Sequence, residues 1–253
     1  MKVEKRGEGE PEITVLGSVH GDEPAGKKAI ERILSEDLDY ERPVQFIVAN
    51  EEALEKGRRF LETDLNRSFP GSEESNSREE RLAHELLEQV EDTKVLDIHT
   101  THSYPEPFAT LKNLDEETLE LVRAAGVDRA VYFPLESNTL TEYVERSVIV
   151  EAGRQGTEEA VDNAVEVIRN FLAYHGVIDS DYEVSDPELF QYQDTVDGDW
   201  EFTAENFEVV EEGETFAVRK GETLEADEPF YPVLMSTQGY EGMLGFKAKK
   251  LDK

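Results

Sequence analysis

Through the first 178 residues, short apolar runs alternate with segments of helical spacing, and this confines the chain to an α/β architecture with a largely parallel sheet. The spacing predicts strands at 13–16, 44–48, 95–99 and 147–151, the last broken by Gly153. Helices are predicted at 22–34, 77–90, 116–125 and 157–174. In the last of these, Ala160, Ala164, Val167, Ile168, Phe171 and Leu172 share one face, and Gly176 ends it. From 50 to 71 the pattern gives way to a loop-rich stretch. Beyond about Asp179 the helical spacing is lost. Short runs of Phe, Tyr and Val are separated there by Asp197-Gly198, Glu212-Gly213 and Lys220-Gly221, which predicts a β-rich C-terminal domain over 179–253 after a main domain over 1–178.

Open α/β sheets gather their ligand sites beyond the carboxyl ends of the strands. Three predicted strand ends carry side chains that bind metals or move protons. The first leads into Gly17-Ser18-Val19-His20-Gly21-Asp22-Glu23, where His20 and Glu23 can converge on one ion. Its glycines permit the sharp backbone path. In Asp97-Ile98-His99 the alternation of a strand puts Asp97 and His99 on one face, so His99 can be a third ligand that Asp97 orients. The third strand end is Val150-Glu151-Ala152-Gly153. Two histidines and one carboxylate leave the fourth position of a tetrahedral zinc open to water, as in catalytic sites. A separate carboxylate, Glu151, can then take the proton of that water. Asp64-Leu65-Asn66-Arg67 sets an amide and a guanidinium within one turn, suited to gripping a substrate carboxylate.

Composition narrows the partners. There are no cysteines, so the fold rests on no disulfide and a metal site must use His, Asp and Glu. Asp and Glu total 59 against 26 Lys and Arg, a formal net charge of −33 that repels nucleic acids and anionic membranes. No apolar run reaches the roughly 18 residues of a transmembrane helix. Met1-Lys2-Val3-Glu4-Lys5-Arg6 is polar and lacks the apolar stretch of a secretory signal, which predicts a cytoplasmic protein. The acids are spread among Val, Ile and Leu instead of gathering in a tail, as suits a globular protein of a halophilic archaeon, where salt screens self-repulsion.

Four segments then combine: His20-Gly21-Asp22-Glu23-Pro24-Ala25-Gly26, Asp64-Leu65-Asn66-Arg67-Ser68-Phe69-Pro70-Gly71, Asp97-Ile98-His99 and Glu151-Ala152-Gly153-Arg154-Gln155-Gly156. In order and approximate spacing they resemble the succinylglutamate desuccinylase/aspartoacylase family of the zinc carboxypeptidase-like superfamily. The resemblance spans about residues 12–175 and weakens in the tail, where Tyr231-Pro232-Val233 and Gly239-Tyr240-Glu241 are still similar. It implies an α/β/α sandwich with a mixed, largely parallel sheet, and one zinc per chain on His20, Glu23 and His99. By the same resemblance, Glu151 is the catalytic carboxylate and Arg59 polarises the carbonyl and stabilises the oxyanion. Asn66 and Arg67 bind substrate, and Tyr240 reaches it from the C-terminal part. One departure stands out. Aspartoacylases carry a further arginine about ten residues before the catalytic glutamate, where this chain has Leu140-Thr141-Glu142-Tyr143, with Arg146 only five before Glu151. That puts N-acetylaspartate in doubt as the substrate.

Of the other histidines, His84 reads as a surface residue and His175 as a cation favouring a helix C-terminus. His102 stays open as an alternative ligand or a substrate contact, and Arg154 as a substrate group or a surface residue. The expected activity is zinc-dependent hydrolysis of an amide, or an ester, in a small N-acylated amino acid or related carboxylate. A metallocarboxypeptidase acting on peptides would share the ligands. A non-catalytic metal- or anion-binding relative would have no need of Glu151. Homo-oligomerisation is left open.

With a net charge of −33, like-charge repulsion should dominate the salt response. The melting temperature is expected to rise as KCl goes from millimolar to molar. A flat or falling calorimetric curve would remove the halophile reading.

Overall fold

Strands covered on both faces need apolar side chains at successive positions, and all five residues of two runs, Ile13–Gly17 and Val44–Val48, are buried. These are central strands of the computed structural model, which describes residues 1–239 and 241–252. In chain order the strands are β1 (Lys2–Arg6), β2 (Ile13–Gly17), β3 (Val44–Val48), β4 (Lys94–Thr101), β5 (Phe108–Leu111), β6 (Arg129–Tyr132) and β7 (Ser147–Arg154). After these come β8 (Glu188–Asp197), β9 (Glu201–Phe202), β10 (Thr215–Arg219), β11 (Glu222–Glu225), β12 (Tyr231–Val233) and β13 (Met243–Lys250). The α-helices are α1 (Ala25–Ser35), α2 (Glu51–Glu55), α3 (Arg78–Val90), α4 (Glu116–Ala125) and α5 (Glu158–Tyr174). None of the described helices is long and apolar enough to cross a membrane.

Ten strands form one mixed sheet in the order β1-β3-β2-β4-β7-β5-β6-β8-β13-β12. Its centre, β3-β2-β4-β7, is parallel, so the carboxyl ends of β2, β4 and β7 open on one edge. One face packs on α1, α4 and α5 through Ile30, Ile33, Val122, Ile168 and Phe171. The other packs on α3 through Leu82, Leu86 and Val90. The result is the α/β/α sandwich expected. Beyond residue 179, β8 joins β6 in parallel, and β13 and β12 extend the sheet antiparallel. A separate three-stranded sheet, β11-β10-β9, closes over Phe216, Phe230, Val210 and Leu244.

Several boundaries differ from the sequence expectation for identifiable reasons. Helix α1 starts at Ala25 and not at residue 22, because a proline disfavours the helical conformation of the residue before it. Pro24 is the N-cap, and Asp22 and Glu23 stay in the turn. Gly153 does not end its strand. It adopts φ 130° within β7, close to a shift in the pairing of β4 with β7, and the strand runs on to Arg154. The loop-rich stretch contains α2 and a 3-10 turn at Leu65–Arg67. Strands β1, β5 and β6 were not anticipated: β1 is a polar edge strand, and the other two have four residues each.

His175 is not the cation expected at the end of α5. It is 8% exposed, packs edge-on to Phe171 at 4.7 Å, and its buried Nε2 has no hydrogen-bond partner among the described residues. Burial, with Lys94 and Arg42 nearby, brings its pKa down to about 4, so the ring is neutral at pH 7. An unfolded histidine titrates near 6.5. As pH falls the unfolded chain takes up this proton first, so stability is complete above about 6.5 and is lost down to about 4. The loss by pH 5.5 is about 1 kcal/mol, or roughly 2–4 °C in Tm. His175→Phe should shrink the fall in Tm between pH 7.5 and 5.5 by that amount. Parallel calorimetric profiles for variant and wild type would contradict the assignment.

Candidate metal centre and active site

The turn after β2 is built from backbone contacts. A Cβ on Gly21 would lie 2.3 Å from the Ala53 carbonyl carbon and 2.5 Å from the Arg58 oxygen, so only glycine allows this approach. The Gly21 amide donates to the Arg59 carbonyl at 3.0 Å, fastening the His20 turn to the start of the next loop. Ser18, at φ 55°, donates its hydroxyl to the Glu23 carbonyl at 3.1 Å. From the other side, Gln155 donates to the Asp22 carbonyl at 2.7 Å. Together these contacts turn His20 and Glu23 inward.

His20, Glu23 and His99 converge. Each offers one ligand atom, these atoms lie within 4.8 Å of one another, and all three residues are buried. Glu23 Oε1 accepts from His20 Nδ1 at 2.8 Å and from Arg59 Nη1 at 3.2 Å. Its Oε2 accepts from the Thr100 amide at 2.9 Å and lies 3.4 Å from His99 Nδ1. The far ring nitrogens meet carboxylates: His20 Nε2 is 3.1 Å from Asp64 Oδ1, and His99 Nε2 is 3.0 Å from Asp97 Oδ2. Carboxylates behind the ligand histidines fix ring orientation and raise basicity, as at metal sites. Two imidazoles and a carboxylate, buried and oriented in this way, fit one zinc ion.

The electrostatics follow from the packing. Burial alone would raise Glu23, but the charges and hydrogen bonds of His20 and His99 hold it well below the usual carboxylate range. Burial would lower both histidines, yet Asp97 and Glu23 keep His99 well above its ordinary value, and Glu23 and Asp64 keep His20 raised. Asp64 is held down despite burial by its bond to His20 and by the charges of His20, Arg59 and Arg67.

The register pairs His99 with Glu151 across β4 and β7, so the two share a sheet face. Glu151 Oε2 is buried with no hydrogen-bond partner among the described residues. Burial, reinforced by Glu23 and opposed by His99, His20 and Arg59, pushes its pKa up to about 7. Arg59 spans Glu23 and Asp64, its Nε donating to Asp64 Oδ2 at 3.2 Å. Asp64 also caps the 3-10 turn by accepting from the Asn66 amide at 2.9 Å. Asn66 Oδ1 accepts from the Leu140 amide at 3.4 Å, and Arg67 Nη1 donates to the Asn66 carbonyl at 2.6 Å.

A cavity of about 560 Å³ joins these groups, lined among others by His20, Glu23, His99, Glu151, Arg59, Asn66 and Arg67. His102 also lines it but is exposed and outside the ligand group, whereas Arg154 is exposed at the end of β7 and is not part of the lining. Tyr240 lies outside the described residues. One organising residue escaped the sequence reading. Glu79, fully buried in the first turn of α3, accepts from the backbone amides of Leu61, Glu62 and Thr63 at 2.8, 3.2 and 3.4 Å. It thereby anchors the segment between Arg59 and Asp64. In sequence it is one of two adjacent glutamates opening a helix, and nothing marks it as buried.

Comparison with known proteins agrees with this geometry. Residues 10–175 match the family model of the succinylglutamate desuccinylase/aspartoacylase catalytic domain. A succinylglutamate desuccinylase of Pseudomonas fluorescens is 31% identical over an alignment of 137 residues that covers 46% of this chain and 41% of that protein. Another, from Shewanella piezotolerans, is 35% identical over an alignment of 88 residues that covers 32% of this chain and 26% of that protein. The alignments thus span less than half of these curated relatives. Among solved structures, a succinylglutamate desuccinylase/aspartoacylase from Rhodobacter sphaeroides superposes with a TM-score of 0.81 at 22% identity, covering 99% of this chain and 89% of that one. The product-bound ectoine utilization protein EutE (DoeB) from Ruegeria pomeroyi superposes with a TM-score of 0.78 at 19% identity, covering 98% and 87%. At these identities the superpositions establish a common fold.

Metal analysis tests the ligand set. Wild type should carry one zinc per chain, and His20→Ala and His99→Ala should each lose it. Full zinc in either variant would remove that residue from the set, and loss on His102→Ala alone would move the assignment to His102.

Proposed function

The chain belongs to the succinylglutamate desuccinylase/aspartoacylase family, and from that premise we propose that it is a zinc-dependent deacylase of small N-acylated amino acids or related carboxylates. The observation that carries this reading is Glu151: a carboxylate with its pKa near 7 and an unpartnered buried oxygen, in the same cavity as the His20-Glu23-His99 cluster. When bound there, zinc supplies Lewis acidity toward a carbonyl and lowers the pKa of water.

The remaining chemistry belongs to the protein's own side chains. Near neutrality Glu151 exchanges a proton readily, which suits a base that accepts the proton of the attacking water and then returns it to the leaving amine. Water oxygen bonds to the acyl carbon, the C–N bond breaks, and a carboxylic acid and an amine result. Arg59, braced by Glu23 and Asp64, brings fixed positive charge to the oxyanion that develops on the carbonyl. Because such charge exists only as the reaction proceeds, Arg59 acts on kcat. Arg67 supplies the planar fork that grips a carboxylate. The amide oxygen of Asn66 is engaged by the Leu140 amide, which leaves its NH2 as the donor for substrate.

Glu151→Gln should keep zinc and fold while losing roughly 10²–10⁴-fold in kcat on the best N-acyl amino acid, since the amide cannot accept the proton. Near wild-type turnover by the zinc-loaded variant would exclude Glu151 as the base.

A further inference from the structure

Besides the ligand cluster, the cavity lining holds polar residues such as Lys112, Thr141 and Ser236 together with a set of large apolar side chains. Ile149 stands two residues before Glu151 on β7 and so lines the same face. Beyond it the lining continues through Phe133, Leu135, Leu234, Met243 and Phe246. Phe133 and Phe246 pack edge-on with ring centroids 5.1 Å apart, and Tyr192 supports Phe246 at 5.8 Å. Leu135 lines the cavity while 38% exposed, so its side chain is open to an incoming molecule.

The charges of the lining point the same way. Arg59 is engaged by Glu23 and Asp64. Lys112 is held by the Leu135 carbonyl and by Glu142, the latter at 3.0 Å. Among the described residues, Arg67 is the lining Lys or Arg without a carboxylate in ion-pair range, while Asp22 and Glu241 add acidic side chains to the lining. One substrate carboxylate is therefore matched. A second would find Arg59 and Lys112 already paired with carboxylates, and an unpaired buried charge is costly.

We propose that the substrate is a monocarboxylate bearing one apolar group, an N-acyl amino acid with a hydrocarbon or aromatic side chain or acyl chain. Phe133, Leu135, Met243 and Phe246 select it. This rests on the deacylase reading, and the test separates the two.

Zinc-loaded wild type is assayed on N-acetyl-L-phenylalanine, N-hexanoylglycine, N-acetyl-L-aspartate and N-succinylglycine. The preferred apolar substrate should exceed both dicarboxylates about 10- to 100-fold in kcat/KM, the scale of burying one apolar side chain. Whichever apolar compound leads tells whether the wall takes the side chain or the acyl group. Leu135→Arg, a change at an exposed position, should erase most of that advantage and raise activity on N-acetyl-L-aspartate. Equal or better turnover of the dicarboxylates by wild type overturns the proposal and leaves the deacylase reading standing. If none of the four is hydrolysed, the deacylase reading fails. Calorimetric binding of the same compounds to zinc-loaded Glu151→Gln then decides the proposal. Tighter binding of an apolar monocarboxylate supports it; equal, weaker or absent binding overturns it.

Discussion

The structure around the site depends on the burial of one charge. Glu23 is 4% exposed, and a carboxylate taken out of water is tolerated only when both its oxygens are well partnered. Its four contacts come from three places: His20 on its own turn, Arg59 on the loop after α2, and the Thr100 amide with His99 at the end of β4. Satisfying Glu23 therefore draws the β2 turn, the Arg59 loop and the edge of β4 into one arrangement. The same contacts bring the imidazoles close enough to share an ion, with Asp64 and Asp97 steadying them from behind.

How much of this was readable in the sequence depended on how local the cause was. Strand β3 and helix α4 were predicted to the residue, because a continuous apolar run and a glycine that accepts φ 71° at the helix end are local signals. Placing His20, Glu23, His99 and Glu151 at strand ends was also within reach, since each follows an apolar run whose direction in a parallel sheet is fixed. Edge strand β1 reads as polar tail because only its pairing with β3 makes it a strand. The burial of Glu79 and the neutrality of His175 depend on segments far away in the chain, and no local pattern announces either.

Charge has two roles in this molecule. Over the surface, 59 acids against 26 basic residues set a strong negative background. Within the cavity, Arg59 and Arg67 stand on one short loop beside the ligand cluster, and Asp64 between them serves both the loop and His20. Both guanidiniums are thus carried by a stretch that Glu79 pins through three backbone amides. Rigidity and local electrostatics come from the same few hydrogen bonds, which set guanidinium charge against the long-range acidic field at the cavity.

The backbone contact at Gly21 has a consequence for how such a protein can diversify. Because Gly21 touches the chain at Ala53 and Arg58 without any intervening side chain, the ligand turn and the arginine loop have no adjustable spacer between them. A change in one is transmitted whole to the other, so this half of the cavity must be inherited as a block. The lining on the segments after β6 and around β13 is formed by side chains such as Phe133, Leu135, Met243 and Phe246, none of which is hydrogen-bonded to His20, Glu23 or His99. New substrate preferences in this scaffold should therefore accumulate along that lining, by point changes, while the ligand cluster is copied unaltered.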